Sequence, residues 1–183
     1  MAIARRNPAL LALIGLVVAL AMPSAAGAKA AFAGKTEMVD RSAVVAVVDI
    51  TAVETVSVKG EHWTYQQRAK AVVKQALKGP LVAGAEITLH GDEDFICARC
   101  HFTPGRSLVF LTVDKSADGS KLWIGSNWHL SIRPITADPD KGDRVEWYKD
   151  DRNIELAPAP LGDVLAEIGR LVNQQKDQAQ PGK

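Results

Sequence analysis

The first half of the chain carries its apolar residues in the runs and alternations that are typical of β-strands. From Ser42 to Val48 the apolar residues are nearly continuous, and the pattern extends through Ile50 and Val53. This predicts one long strand that is buried on both faces. Apolar and polar residues alternate from Tyr65 to Leu77, which predicts a second strand. They alternate again from Ala85 to His90, a third strand with one face in the core and the other in water.

The second half of the mature chain continues the strand pattern with shorter segments. Leu108 to Val113 is a short apolar run, which predicts a buried strand. Asp118-Gly119 is a hairpin turn signal that leads into an apolar segment from Leu122 to Ile124. Weaker strand patterns follow from Leu130 to Ile135 and from Val145 to Tyr148.

One segment near the C-terminus has the spacing of an amphipathic helix. Pro158 and Pro160 precede it, and its apolar positions are Leu161, Val164, Leu165, Ile168, Leu171 and Val172. We expect this helix to close one opening of a barrel, followed by a polar tail over residues 174–183. The predicted fold class is mainly β: a small Greek-key barrel, similar to the oligonucleotide/oligosaccharide-binding (OB) fold, over residues 38–173, with a C-terminal helix.

The N-terminal residues have the pattern of a secretory signal peptide. Arg5 and Arg6 precede an apolar run from Ala9 to Met22, and small residues follow up to candidate cleavage sites after Ala28 or Ala30. Residues 1–28 are therefore predicted to be removed on export, to the periplasm or outside the cell. No other stretch approaches the roughly 20 apolar residues of a membrane-spanning helix, so we expect no integral membrane segment after cleavage.

The charge composition argues against nucleic-acid partners. The 183 residues include 22 Lys+Arg and 21 Asp+Glu, with a formal net charge of +1, and no stretch concentrates the basic residues. A nucleic-acid-binding surface requires such a concentration, because it neutralises phosphates. The acidic stretches at residues 92–94 and 138–140 lack the ligand spacing of a calcium loop and are predicted to be solvated turns.

Three segments in a fixed order resemble a known family. They are the valine-rich first strand from Val44 to Ile50, the sequence Val73-Lys74-Gln75-Ala76-Leu77-Lys78-Gly79, and, after a loop with cysteine, the run from Phe102 to Phe110. They are similar to the netrin-like, or tissue-inhibitor-of-metalloproteinase-like, domains of secreted bacterial proteins, over residues 42–135. The resemblance implies an OB-like barrel that serves as a binding scaffold. Inhibitors of that family place an N-terminal cysteine on a catalytic zinc. The first cysteine here is Cys97, so that mechanism is not implied.

The sequence Cys97-Ala98-Arg99-Cys100-His101 is the sharpest chemical motif in the chain. An exported protein meets an oxidising compartment, and the resembling family carries cysteine in this loop, so we expect a disulfide between Cys97 and Cys100. Three alternatives stay open. A c-type haem would bond both cysteines and use His101 as an iron ligand, with a second ligand from Met38, His62, His90 or His129. The cysteines could instead form a thiol-redox pair, or hold zinc together with His101 and a remote histidine such as His90.

The remaining functional signal is aromatic. Trp63, Trp123 and Trp128 are candidates for a ligand-facing surface, because barrels use aromatic rings to hold oligosaccharides and peptides. No motif of a known catalytic constellation is present, so we expect a non-enzymatic protein with no resident metal or cofactor. The sequence therefore predicts an exported binding module with an unspecified protein or glycan partner. The alternative is a small haem or thiol-redox protein that uses the cysteine motif.

Overall fold

The computed structural model describes residues 31–95, 98–151 and 153–178. The described chain forms eight strands, two α-helices and one 3-10 turn. The strands are β1 (Val44–Lys59), β2 (Thr64–Lys78), β3 (Glu86–Glu93), β4 (Gly105–Lys115), β5 (Lys121–Gly125), β6 (Ile132–Asp138), β7 (Gly142–Tyr148) and β8 (Leu156–Pro160). The helices are α1 (Lys35–Arg41) and α2 (Leu161–Gln178), and the 3-10 turn is Trp128–Ser131.

Five of the strands form a barrel-like ring. Their order is β1–β2–β3–β5–β4, and β4 pairs back with β1, from Val44 opposite Leu111 to Ile50 opposite Gly105. The β3–β5 pair is parallel, and the other pairs of the ring are antiparallel. Strands β6, β7 and β8 extend the sheet from β4. The predicted fold class, mainly β with a barrel-like arrangement and a C-terminal helix, is confirmed.

The first part of strand β1, from Val44 to Ile50, is buried on both faces because it separates two hydrophobic clusters, whereas the rest of the strand is exposed or partly exposed. Val44, Ala46, Val48 and Ile50 pack in one cluster with apolar residues of the other ring strands, including Val73, Leu89, Val109 and Leu111. Val45 and Val47 belong to the second cluster, with β4, β7 and both helices. The alternating side chains of one strand thus serve two cores, which explains its continuous run of apolar residues.

The C-terminal helix covers the second cluster and does not close an opening of the barrel. Val164, Ile168 and Val172 of α2 pack in the cluster that contains Val45 and Val47, which point away from the ring cluster. The expectation that this helix closes a barrel opening was therefore wrong. The helix also continues to Gln178, into the segment predicted to be a polar tail.

Three elements were not predicted. The short helix α1 precedes β1, the 3-10 turn covers the first two residues of the strand predicted from Leu130, and β8 contains Pro158 and Pro160, which directly precede the C-terminal helix. Strand β8 is the edge strand of the sheet and pairs with β7. Proline, which has no backbone N–H, is tolerated in an edge strand.

Within the described residues, no helix is both long and apolar enough to cross a membrane. The predicted signal peptide lies outside them.

Candidate functional site

A pocket that is lined by two of the predicted site residues lies at one end of the ring. Strands β3 and β5 are parallel, so their C-terminal ends meet there, next to the turn between β1 and β2. The pocket has a volume of about 180 Å³. Its lining residues are Arg41, Trp63, Glu93, Thr112, Ile124, Gly125, Ser126, Asn127 and Trp128.

Two of the three predicted ligand-facing aromatic residues line this pocket, and the third does not. Trp63 lies beside Phe95, with ring centroids 5.2 Å apart, and Phe95 stacks on Trp128 at 5.5 Å with 21° between the ring planes. The three rings therefore form a continuous aromatic cluster at the pocket. Trp123 lies on β5 outside the lining, and the Lys121 ammonium sits 3.9 Å from its ring centroid.

The backbone of Trp128 has an unusual conformation. Its φ angle is +46°, in the left-handed region that bulky residues rarely adopt. Such conformations cost about 1–3 kcal/mol and are found disproportionately at binding sites. In this protein the unfavourable conformation occurs at Trp128, whose indole ring forms one wall of the pocket.

Glu93 is the buried acidic residue of the pocket, although its acidic segment was predicted to be a solvated turn. Only 3% of the residue is exposed, and its carboxylate accepts a hydrogen bond from the backbone N–H of Cys100 at 2.7 Å. Burial raises the pKa of the Glu93 carboxyl, and the nearby charge of Asp92 adds to this, while the hydrogen bond from Cys100 partly opposes it. The turn prediction failed because β3 continues through Glu93 before the chain turns.

Asn127 attaches the N-terminal segment of the described chain to the same region. Its side-chain oxygen accepts a hydrogen bond from the Ala33 N–H at 3.0 Å, and its amide nitrogen donates to the Ala31 carbonyl at 2.9 Å. Phe32, which lies between Ala31 and Ala33, packs edge-on against the Trp128 ring, with the ring centroids 6.1 Å apart. The residues that follow the predicted cleavage sites thus form part of the pocket surroundings.

The described part of the cysteine motif packs tightly against two glycines. A Cβ on Gly91 would lie 2.2 Å from the Cys100 carbonyl oxygen, and one on Gly125 would lie 2.8 Å from the Cys100 sulfur. Cys100 is fully buried, whereas His101 is exposed. Burial raises the pKa of the Cys100 thiol in its reduced form, and the charge of Glu93 adds to this, so the reactive thiolate is disfavoured. Cys97 lies outside the described residues, and the predicted disulfide stays a prediction.

The histidines and the methionine considered as ligands for haem or zinc lie in separate surroundings. Met38 is buried in the cluster with the helices, and His129 packs against Phe32. His90 is buried in β3, its Nδ1 has no hydrogen-bond partner within the described chain, and burial lowers its pKa. His62 contacts Asp114. In the described part of the chain, Cys100, His101 and His90 do not come together as a group of metal ligands.

Sequence reasoning found the two tryptophans of the pocket and missed its polar residues. Nothing in the acidic segment distinguishes Glu93 from its solvated neighbours, and Asn127 is a single polar residue beside Trp128.

Comparison of the chain with protein-family models, curated proteins and solved structures finds no match. Functional conclusions therefore rest on the geometry of the site.

Proposed function

We propose that the protein is a non-enzymatic binding module that holds its ligand at the pocket between Trp63 and Trp128. The observation that carries the proposal is the aromatic cluster at the end of the ring, which borders a pocket containing a buried carboxyl group and the Arg41 side chain. Aromatic faces bind flat apolar surfaces, and the polar groups beside them orient the ligand.

A sugar residue of a glycan is the ligand that this combination fits best. One face of a sugar ring is apolar and can lie on an indole ring, while its hydroxyls can hydrogen-bond to Glu93. A pocket of about 180 Å³ is small for a macromolecule, so a longer glycan would place one unit in it. A protein partner would instead insert a single side chain.

The proposal includes export and a local disulfide. The signal-peptide pattern of residues 1–28 supports action in the periplasm or outside the cell. In that compartment Cys97 and Cys100 would oxidise to each other. The alternative thiol-redox function is less well supported, because the buried Cys100 lacks the exposed, low-pKa environment of reactive thiols.

The test is a titration of the protein with a panel of bacterial cell-envelope oligosaccharides, followed by intrinsic tryptophan fluorescence. Trp63→Ala is expected to weaken binding about tenfold, since an aromatic contact is worth about 0.5–1.5 kcal/mol beyond the area it buries. Trp123→Ala is the matched control and should bind normally, because Trp123 lies outside the pocket. Binding that depends on Trp123 and not on Trp63 would contradict the proposal.

A further inference from the structure

Three potential metal ligands meet at the turn between β1 and β2. Glu61 and His62 belong to this turn, and Asp114 lies near the end of β4, 52 residues further along the chain than His62. One ligand atom from each of the three side chains lies within 4.8 Å of the other two. This is the one such group among the residues that the structure describes.

Asp114 is held in place by groups that are not themselves in the cluster. The Tyr65 hydroxyl donates to its Oδ2 at 2.7 Å, and the backbone N–H of Lys115 donates to its Oδ1 at 2.8 Å. Each carboxylate oxygen can accept about two hydrogen bonds, and Oδ1 already has a second contact, with the His62 Nδ1 at 3.3 Å. An ion held by both residues would replace this long contact. This is the arrangement of a ligating carboxylate whose orientation is fixed by an outer shell of hydrogen bonds.

The charge of Asp114 has no strong cationic partner. Its side chain is only 1% exposed, and no Lys or Arg of the described residues forms an ion pair with it. Its one ion-pair contact is the His62 Nδ1 at 3.3 Å, a long contact to a ring that is 69% exposed. Hydrogen bonds from Tyr65, Lys115 and His62 stabilise its negative charge. A buried carboxylate that is held in this way can also coordinate a metal ion.

The turn approaches Asp114 closely because residue 60 is glycine. A Cβ at Gly60 would lie 2.3 Å from the Asp114 Oδ2 and 2.7 Å from the Tyr65 ring. Any side chain here would push the turn, with Glu61 and His62, away from the carboxylate. The glycine therefore permits the three ligands to converge.

We propose that Glu61, His62 and Asp114 bind a divalent transition-metal ion of the zinc class. An imidazole nitrogen with two carboxylates is a donor set for such ions, whereas Ca²⁺ and Mg²⁺ prefer oxygen ligands alone. The exposed side chains of Glu61 and His62 are free to adjust around an ion held by the fixed Asp114. Three protein ligands leave a fourth position open to water or to a donor from a partner.

This inference departs from the expectation of no resident metal, and it does not depend on the proposed function. The sequence contains no signal for the site, because the ligands come from distant segments and have none of the short spacings of zinc motifs. It also differs from the zinc alternative considered for Cys97, Cys100 and His101, which uses other residues.

The test is calorimetric titration of the untagged exported chain with ZnCl₂. The expected result is saturable binding of one zinc ion per chain. His62→Ala, at an exposed position, should fold normally and should lose most of the affinity. Loss of an outer-shell partner costs about 10- to 100-fold in metal affinity. Tyr65→Phe should therefore weaken binding by about tenfold, and removal of the ligand His62 should weaken it more.

His101→Ala is the matched control, because His101 is an exposed histidine outside the group. It should bind zinc with the affinity of the unsubstituted protein. The proposal is overturned if the protein binds no zinc, if His62→Ala binds as well as the unsubstituted protein, or if binding is lost in His101→Ala. The last result would assign the ion to the cysteine motif instead. CaCl₂ titrated in the same way should give no binding, and calcium binding with equal affinity would also overturn the proposal.

Discussion

The side-chain carboxylate of Glu93 accepts a hydrogen bond from the backbone N–H of Cys100 at 2.7 Å. This contact joins the end of β3 to the loop of the cysteine motif, beside the pocket. It is buried, and burial raises the pKa of Glu93 above its ordinary value of 4.5. A raised pKa means that the folded protein holds the proton more tightly than the unfolded chain does.

The ionisation of Glu93 should therefore lower stability as the pH rises. Below about pH 4.5 the Glu93 carboxyl is protonated in both the folded and the unfolded chain. Above the raised pKa it is ionised in both, and the folded protein bears the full free-energy cost of the buried charge. Glu93→Gln keeps an acceptor for the Cys100 N–H but cannot ionise. Its free energy of unfolding, relative to that of the unsubstituted protein, should increase from pH 4 to pH 8. Chemical denaturation at a series of pH values measures this.

Glu86→Gln is the control for that series, because Glu86 is exposed on the same strand. It should show no such dependence on pH. If Glu93→Gln instead loses stability progressively as the pH rises, the carboxylate is stabilised by its surroundings and the interpretation of its burial is wrong.

A methyl group at Gly125 should destabilise the protein. Its Cβ would lie 2.8 Å from the Cys100 sulfur and 2.9 Å from the Ser131 Cβ, closer than these atoms can approach. Overpacking of this kind costs about 1–3 kcal/mol. Gly125→Ala should show this loss in thermal or chemical denaturation.

Gly169→Ala is the control, and its expected effect on stability is the opposite of that of Gly125→Ala. Gly169 lies in α2, and nothing is within 4 Å of the position of an added Cβ. The substitution should raise stability by up to about 1 kcal/mol through helix propensity. A Gly125→Ala protein as stable as the Gly169→Ala protein would mean that the Cys100 loop is not packed as described.

Two neighbouring apolar residues of α2 should differ in their contribution to stability. Ile168 is fully buried in the cluster with Val45 and Val47, whereas Leu165 is only partly buried. Ile168→Ala should cost about 2–5 kcal/mol, and Leu165→Ala less, because truncation of a partly exposed side chain removes less buried area. Equal losses in urea denaturation would contradict the described orientation of the helix.

Local patterns predicted the ring strands because their signal is periodic. The continuous apolar run in β1 and the alternation in β2 reflect which faces of each strand are buried. This pattern lies within the segment itself, so it is visible without knowledge of the segment's partners. The position of α2 was not predictable in this way. An apolar helical face shows that the helix packs on something, but the sequence does not say whether that surface is a barrel opening or an outer wall.

Buried polar residues were the main omission. Arg133 is 2% exposed, stacks over the Tyr148 ring at 4.6 Å, and donates to the Glu146 carbonyl, while its Nε and Nη2 have no hydrogen-bond partner in the described chain. Nothing in its local sequence indicates burial, since charged residues are normally exposed. The same holds for Asp114, whose partners come from another strand and turn. Contacts between distant segments determine these environments, and a single sequence does not contain them in readable form.

The cysteine pair should be oxidised when the chain is exported, as the signal-peptide pattern of residues 1–28 predicts. Cys97 and Cys100 are three positions apart, and export favours a disulfide, so the intact mass should be about 2 Da below that of the fully reduced chain. No thiol should react with iodoacetamide until a reductant is added. Because the ring is small, replacing both residues with Ser should leave the protein folded, with a loss of about 1–2 kcal/mol. A haem mass, a Soret band or a rapidly alkylated thiol in the native protein would each contradict the disulfide and favour a specific alternative.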